Sequence, residues 1–193
     1  RVTLSWNFSD TIWETEVFDW LAPLGSTGST DMDVTVDGLR IVAGGKNIRG
    51  YLNEDIGNYI QPNGGGSISQ RCFSFTAPAN GTLRVKVSAT GSSEDLTRLV
   101  KVQVGEEGTP QELAGGYTTP TWITYDIEAN NQTVYIYPSG GLRFYAIEYT
   151  YISAPQEQTI EWGHAAFDDI WVNGCASDTG NIDATFVTTK MTA

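Results

Sequence analysis

Apolar and polar residues alternate with a period of two along most of the chain, and short turn signals interrupt the alternation. The clearest unit covers residues 69–89, where Phe73 and Phe75 alternate with polar residues, a turn follows at 78–81, and a second alternating run occupies 83–89. Because Asn and Gly both tolerate a positive φ, the Asn-Gly pair in this turn is typical of a tight β-hairpin. No helical stripe longer than two turns is present. The sequence therefore predicts an all-β fold.

Further short strands are predicted, separated by residues that favour turns. They lie at residues 2–6, 33–36, 39–43, 97–104, 122–128, 133–137, 142–152, 159–162, 170–172 and 184–189. Many short strands at such spacing are typical of an antiparallel sandwich or barrel.

The charge of the chain limits the partners that it can bind. The 193 residues, enough for one domain, contain 11 Lys and Arg against 23 Asp and Glu, a formal charge of −12. Nucleic acid and anionic membranes both require a basic surface, so neither is expected as the partner. No apolar run approaches the roughly 20 residues of a membrane span, so no membrane insertion is expected.

The two ends of the chain leave its domain limits open. The sequence starts at Arg1 directly before a predicted strand, which indicates a mature form or an excised piece of a longer protein. Residues 154–158 have the composition of a connector. The segment 155–193 either adds strands to the same sandwich or begins a second unit, and we expect a single module over 1–193. Cys72 and Cys175 make no metal pattern; they form one long-range disulfide or, as we expect, stay two buried thiols.

Four stretches of the sequence carry a family resemblance: residues 64–75 with the turn that follows, 83–87, 98–102 and 134–149. Together they resemble the noncatalytic β-sandwich modules of carbohydrate-binding type that accompany pectate lyases and other polysaccharide-degrading enzymes of Bacteroidetes. The resemblance covers about 35–152. It implies a jelly-roll-like antiparallel β-sandwich, a polysaccharide or oligosaccharide ligand, a covalently linked catalytic domain, and a secreted or cell-surface location, extracellular or periplasmic.

Three aromatic residues are predicted to form a platform for sugar rings. If Ile123 and Val134 point into the core, the alternation sends Trp122 outward on one strand and Tyr135 and Tyr137 outward on the next. Flat aromatic side chains held on strands stack against the apolar faces of pyranose rings at low entropic cost. The alternative is that another layer of protein covers them, because large aromatic residues are usually buried.

Two further groups of residues are candidates for ligand binding. The Gly- and Asn-rich stretch between Gly44 and Gly66 is too long for a simple turn, and long loops on a β scaffold often carry function. It offers polar and aromatic groups for sugar hydroxyls, among them Tyr51, Asn53 and Tyr59. The second group is a basic stripe that suits an acidic polysaccharide such as pectin, or is a solvated surface that protects against aggregation; it consists of Arg84, Lys86, Arg98 and Lys101.

No residue is assigned a catalytic role. His164 is the only histidine, and no nucleophile elbow accompanies it, so a Ser-His-Asp site has little support. One histidine and two distant cysteines do not supply the ligand set of a zinc hydrolase. A small polysaccharide lyase or glycoside hydrolase on the same fold stays open, since 23 acidic residues can supply two carboxylates. A structural or adhesion domain with a protein partner is the other alternative.

No cofactor is required, and the metal ligands are left open. A structural calcium ion is an alternative to solvated acidic turns, with oxygen ligands available at Asp31, Asp33, Asp37, Glu54, Asp55, Asp168 and Asp169.

Overall fold

The computed structural model describes residues 1–153. The strands predicted at 159–162, 170–172 and 184–189, together with His164 and Cys175, lie outside this range. The domain to which 155–193 belongs therefore stays open. The described strands are, in chain order, β1 (Val2–Asn7), β2 (Asp33–Val36), β3 (Leu39–Val42), β4 (Ile48–Tyr51), β5 (Tyr59–Pro62), β6 (Cys72–Ala77), β7 (Gly81–Ala89), β8 (Leu99–Val104), β9 (Gln111–Ala114), β10 (Thr121–Ile127), β11 (Gln132–Pro138) and β12 (Leu142–Tyr151).

The strands form two six-stranded sheets. Sheet A has the order β10-β7-β12-β5-β4, and β1 pairs with β12 along the same edge as β5. Sheet B has the order β2-β3-β6-β11-β8-β9. Every pairing between neighbours is antiparallel. The predicted all-β, jelly-roll-like antiparallel β-sandwich is therefore confirmed.

The core lies between the two sheets, where the alternation places the apolar residues. On β7 the inward side chains Leu83, Val85 and Val87 are buried, and Phe73 and Phe75 face them from β6 in the same core cluster. Burying an apolar side chain of this size stabilises the fold by about 1.5–3 kcal/mol. The period of two therefore identified the core strands from local sequence.

A helical segment between β1 and β2 is the main departure from the all-β prediction. It consists of α1 (Thr11–Trp13), a π turn (Glu14–Phe18), α2 (Asp19–Leu21) and a 3₁₀ turn (Ala22–Leu24). Its apolar side chains enter the sandwich core, with Trp13, Val17, Phe18 and Leu21 at most 1% exposed. Because the helix type changes three times, the spacing of these residues departs from one regular period, which explains why the sequence pattern did not show it.

The prediction of a β-hairpin at Asn80-Gly81 is wrong. β6 belongs to sheet B and β7 to sheet A, so this turn carries the chain from one layer to the other. Gly81 does not have a positive φ. A Cβ there would lie 2.4 Å from the Thr150 carbonyl oxygen, so the glycine permits a close approach of β7 to β12. The Asn80 side chain accepts a hydrogen bond from the Ala129 amide at 2.9 Å, which ties two connections together.

The stretch between Gly44 and Gly66 is not one long loop. It contains the antiparallel pair β4 and β5, in which Tyr51 lies opposite Tyr59. A loop of residues 52–58 joins the two strands. The side chain of Asn53 shapes this loop, because its Oδ1 accepts hydrogen bonds from the amides of Asp55 and Ile56.

Candidate functional site

The outward surface of sheet A collects most of the residues that the sequence singled out. We call it the sheet A face. Register pairs place four residues in one row across neighbouring strands: Trp122 lies opposite Lys86, Lys86 opposite Ala146, and Ala146 opposite Asn7. Three steps between strands span about 14 Å. The row is long enough to contact an extended ligand rather than one small group.

At one end of the row, Trp122 is held by a charged pair. The Arg84 guanidinium carbon lies 4.4 Å from the centroid of the indole ring, within the range of a cation–π interaction. Arg84 Nη1 also donates a hydrogen bond to Glu148 Oε2 at 2.9 Å. The three residues come from β10, β7 and β12, so three rigid strands fix the ring.

At the other end, three tyrosines form a ladder. The ring centroids of Tyr51 and Tyr59 lie 5.2 Å apart, and those of Tyr59 and Tyr145 lie 5.4 Å apart. The Arg143 guanidinium carbon lies 5.1 Å from the Tyr59 centroid, and the Tyr145 and Ser88 hydroxyls share a hydrogen bond of 3.0 Å. Burial raises the pKa of Tyr59, although the nearby Arg143 opposes the shift. Tyr59 therefore stays a neutral hydrogen-bonding aromatic at neutral pH.

A β-bulge explains how Tyr145 reaches this surface. The register between β12 and β7 shifts between Phe144 and Ala146. Phe144 is buried in the core, and Ala146 lies opposite the outward residue Lys86. The extra residue directs Tyr145 and Ala146 to the outer side of sheet A, since a bulge re-aims a side chain at the cost of regular pairing. Both are nearly covered there, Tyr145 at 2% and Ala146 at 5% exposure, so they form the base of the surface.

A cavity of about 250 Å³ opens between the two ends of the row. Trp122 and Tyr145 supply aromatic walls, and Lys86, Asp10 and Glu148 supply charged groups. Further polar lining comes from Ser5, Asn7 and Ser9. Ammonium, carboxylate, amide and hydroxyl groups beside an indole are the groups that bind a polyhydroxylated ring.

The predicted platform of Trp122, Tyr135 and Tyr137 is not formed. Trp122 is on β10 in sheet A, whereas both tyrosines are on β11 in sheet B. Tyr137 is buried beside Val42, and its hydroxyl donates to Gln103 Oε1 at 2.9 Å. β10 and β11 follow one another in the chain but belong to opposite layers, which a local sequence pattern does not show.

Tyr135 lines a separate cavity of about 260 Å³ on the outer side of sheet B, with Arg40 and Ser74. The other six predicted ligand residues lie on the sheet A face or in the loop beside it. Trp122, Arg84 and Lys86 are neighbours, Tyr51 and Tyr59 belong to the ladder, and Asn53 lies in the 52–58 loop.

The predicted basic stripe is divided between the two sheets. Arg84 and Lys86 are on sheet A, but Lys101 is on β8 in sheet B, where it pairs with Glu112 at 3.0 Å. Arg98 precedes β8 and pairs with Asp95 at 3.0 Å. The cations that join Arg84 and Lys86 on the sheet A face are instead Arg49 and Arg143.

Arg143 and Tyr145 lie beside this surface but were not among the ligand-binding residues predicted from the sequence. They flank the apolar residue Phe144 on β12, so the period of two in the sequence already indicates that both point away from the core. Their proximity to Tyr59 depends on pairing with β5, which is not local.

No metal site is found in the described part of the chain. Within residues 1–153, no three His, Cys, Asp or Glu side chains come together in an arrangement suited to a metal ion. Two hydrogen bonds of 2.8 Å from Arg40 occupy the Asp33 carboxylate and lower its pKa. Asp168 and Asp169 lie outside the described residues, and structural calcium stays a prediction.

Comparison with known proteins identifies structural neighbours only. No protein-family model and no curated protein matches the sequence. Carbohydrate-binding modules are among the solved structures that are similar to this chain. One is a family 35 module from Clostridium thermocellum, with a TM-score of 0.42 and 14% identity over 59% of this chain and 93% of that one.

Two other structural neighbours have similar TM-scores and identities. The CBM22-1 and GH10 modules of a Clostridium thermocellum xylanase give a TM-score of 0.45 and 15% identity, over 64% of this chain and 28% of theirs. The C-terminal CBM6 of a laminarinase from Zobellia galactanivorans gives a TM-score of 0.40 and 17% identity, over 54% of this chain and 88% of that one. Such low scores assign the chain to no family, so the fold class rests on the two sheets themselves. The association with pectate lyases and Bacteroidetes stays a prediction.

The helical turns of residues 1–153 include none with the length and apolar character that crossing a membrane requires.

Proposed function

We propose that the chain is a noncatalytic polysaccharide-binding module whose ligand lies across the sheet A face. The observation that carries this proposal is the row from Trp122 through Lys86 to Asn7, with the tyrosine ladder beside it. Trp122 would stack against the apolar side of a sugar ring. Lys86, Asn7 and Glu148 would exchange hydrogen bonds with its hydroxyls. Shallow, solvated sites of this kind bind with about −4 to −8 kcal/mol, that is, with millimolar to micromolar Kd.

We propose further that the ligand is an acidic polysaccharide such as pectin. The strands of the sheet A face present four cations, Arg49, Arg84, Lys86 and Arg143, against two carboxylates, Asp126 and Glu148. With Asp10, which lines the cavity beside these strands, the balance is 4 − 3 = +1 on a chain whose total formal charge is −12. Lys86 forms no ion pair with another residue of the described range, so its ammonium group is available to a sugar carboxylate.

In this proposal the module is secreted or displayed at the cell surface and is covalently linked to a catalytic domain. Binding of the module to the polysaccharide would raise the effective concentration of substrate at the linked enzyme. Polysaccharides such as pectin are too large to enter cells, so the proposed ligand implies an extracellular or periplasmic location.

Affinity gels and calorimetry with polygalacturonate and with neutral polysaccharides test the proposal. We expect the wild type to bind polygalacturonate and Trp122→Ala to lose about five- to thirtyfold in affinity, since an aromatic stacking residue contributes on the order of 1–2 kcal/mol. Trp20→Ala is the matched control, because Trp20 is 38% exposed and does not line the cavity of the sheet A face. Lys86→Gln should reduce binding of polygalacturonate more than binding of neutral chains.

Two results would contradict the proposal. If no polysaccharide binds and Trp122→Ala behaves as the wild type does, the domain is a structural or adhesion domain. If the chain alone cleaves a polysaccharide, the noncatalytic assignment fails.

A further inference from the structure

A second cavity lies at an open side of the sandwich, where the edge of sheet A meets the β8–β9 end of sheet B. We call it the edge cleft. Its volume is about 410 Å³, within the range of small-molecule sites. The inward residues Tyr125 and Ile127 of β10 form one wall, and Val102 and Val104 of β8 form the other. Val102 and Ile127 are almost fully buried, so Tyr125 and Val104 supply most of the apolar floor that a ligand can reach.

The rim of the edge cleft is polar. Asp126 and Glu128 contribute carboxylates from the sheet A side, and Thr109 and Gln111 contribute a hydroxyl and an amide from the β8–β9 hairpin. Thr82 Oγ1 donates a hydrogen bond of 2.8 Å to Asp126 Oδ1, which fixes that side chain. Asp126 Oδ2 makes no hydrogen bond with residues 1–153 and is free to accept one. An apolar floor with a few fixed polar groups at its mouth is typical of a ligand site.

The charge of the edge cleft is opposite to that of the sheet A face. Two carboxylates line the edge cleft, and its described lining contains no Lys or Arg. The nearby Lys101 is paired with Glu112. A uronate or sulfate group would therefore meet like charge without a counterion. The hydroxyl groups of a neutral sugar, in contrast, donate well to ionised carboxylates.

We infer that the edge cleft is a second binding site that takes a neutral sugar unit, such as a chain end or a side branch. Tyr125 would contact the apolar side of the ring, and Asp126 and Glu128 would accept hydrogen bonds from its hydroxyls. The edge cleft shares Asp126 with the sheet A face but none of the residues of the row from Trp122 to Asn7. Trp122 and Asp126 are four residues apart on β10, about 13 Å along the strand, so one branched polysaccharide can reach both.

Two-dimensional NMR titrations of the full chain with neutral cello-, xylo-, manno- and galacto-oligosaccharides test this inference. They are best carried out in the Trp122→Ala background, where binding to the sheet A face is weakened. We expect at least one neutral oligosaccharide to shift the amide signals of Gly108, Thr109 and Asp126, and galacturonate oligomers to shift none of them. Tyr125→Ala should abolish these shifts.

Because Tyr125 packs against the core, a second variant avoids any change in folding. Glu128→Arg alters an exposed rim residue and should lower the affinity for the neutral ligand at least about tenfold, the effect of losing one charge-assisted hydrogen bond. Glu107→Arg is the matched control, since Glu107 is exposed in the neighbouring turn but does not line the edge cleft. It should leave the affinity unchanged.

Several outcomes would overturn the inference while leaving the proposed function standing. They are the absence of shifts with every neutral oligosaccharide, shifts caused only by galacturonate oligomers, and an equal effect of Glu107→Arg and Glu128→Arg. Conversely, binding at the edge cleft with no glycan bound on the sheet A face would retain this site and overturn the proposed function.

Discussion

The Arg84 guanidinium stacks over Trp122, with 4.4 Å between the guanidinium carbon and the ring centroid. Glu148 holds the same guanidinium from the next strand through a 2.9 Å hydrogen bond. A cation over an indole favours one ring orientation and covers one of its two faces. In the proposed function, the opposite face of Trp122 would contact the sugar ring, and Arg84 would act as a positioning residue.

We expect Arg84→Gln to weaken polysaccharide binding about two- to fivefold, because a cation–π contact at an exposed site contributes about 0.5–1 kcal/mol. The stability of the fold should change by less than about 1 kcal/mol, since the Arg84 and Glu148 side chains are 43% and 26% exposed. Calorimetric titration with polygalacturonate measures the first effect and urea unfolding the second.

Arg40→Gln is the control for this variant. It breaks a comparable exposed ion pair, Arg40 with Asp33 at 2.8 Å, on sheet B and not on the sheet A face. If Arg40→Gln weakens binding as much as Arg84→Gln does, the effect comes from net charge alone and not from the position of Trp122.

The tyrosine ladder provides a test of stability. Tyr145→Phe removes the hydroxyl that shares a buried hydrogen bond of 3.0 Å with Ser88. We expect the free energy of unfolding to fall by about 1 kcal/mol, the usual contribution of such a bond. Tyr135→Phe is the matched control, because the Tyr135 hydroxyl makes no hydrogen bond with residues 1–153, and its effect should stay below about 0.5 kcal/mol. Equal losses in urea unfolding would show that the Ser88 contact does not stabilise the fold.

The local part of this structure could be predicted from the sequence. Leu83, Val85 and Val87 identified an inward strand face because the period of two is a property of one strand alone. The outward direction of Trp122, Arg84 and Lys86 followed from the same alternation. These are statements about a single strand, and they need no knowledge of its neighbours.

The pairing of strands could not be predicted in the same way. Arg84 and Glu148 are 64 residues apart, and their contact exists because β7 pairs with β12 rather than with β6. Tyr135 follows Trp122 closely in the sequence but lies on the other sheet. The sheet that a strand joins depends on long-range pairing energies, so sequence reading found the individual site residues but grouped them wrongly.

Gly81 is expected to be a position where a single methyl group destabilises the sandwich. A Cβ at Gly81 would lie 2.4 Å from the Thr150 carbonyl oxygen, which is backbone and does not move aside. Gly81→Ala should therefore lower the free energy of unfolding by about 1–3 kcal/mol.

Gly91→Ala serves as the comparison, since the nearest atom to its Cβ would be 3.9 Å away. Chemical denaturation of the two variants should show no loss for Gly91→Ala. If Gly81→Ala is equally neutral, β7 and β12 approach less closely than the described backbone requires.

The buried thiol of Cys72 should make the stability depend on pH in the alkaline range. Cys72 is fully buried, and burial raises the pKa of its thiol to about 12. In the unfolded chain the thiol ionises at about pH 8.5. Between these values the folded state keeps a proton that the unfolded state has lost. Stability is therefore full below about pH 8.5 and falls as the pH rises, by up to about 1.4 kcal/mol per pH unit.

Urea unfolding between about pH 8 and 10, in the presence of a reductant, measures this slope before most tyrosines ionise at about pH 10. We expect Cys72→Ala to have a lower stability at pH 7, because of the cavity it leaves, but a flatter dependence on pH. Comparing slopes rather than absolute stabilities separates titration from packing. Identical slopes in the two proteins would show that the Cys72 thiol does not stay protonated in the folded state, and hence that water reaches it between Tyr137 and Val42.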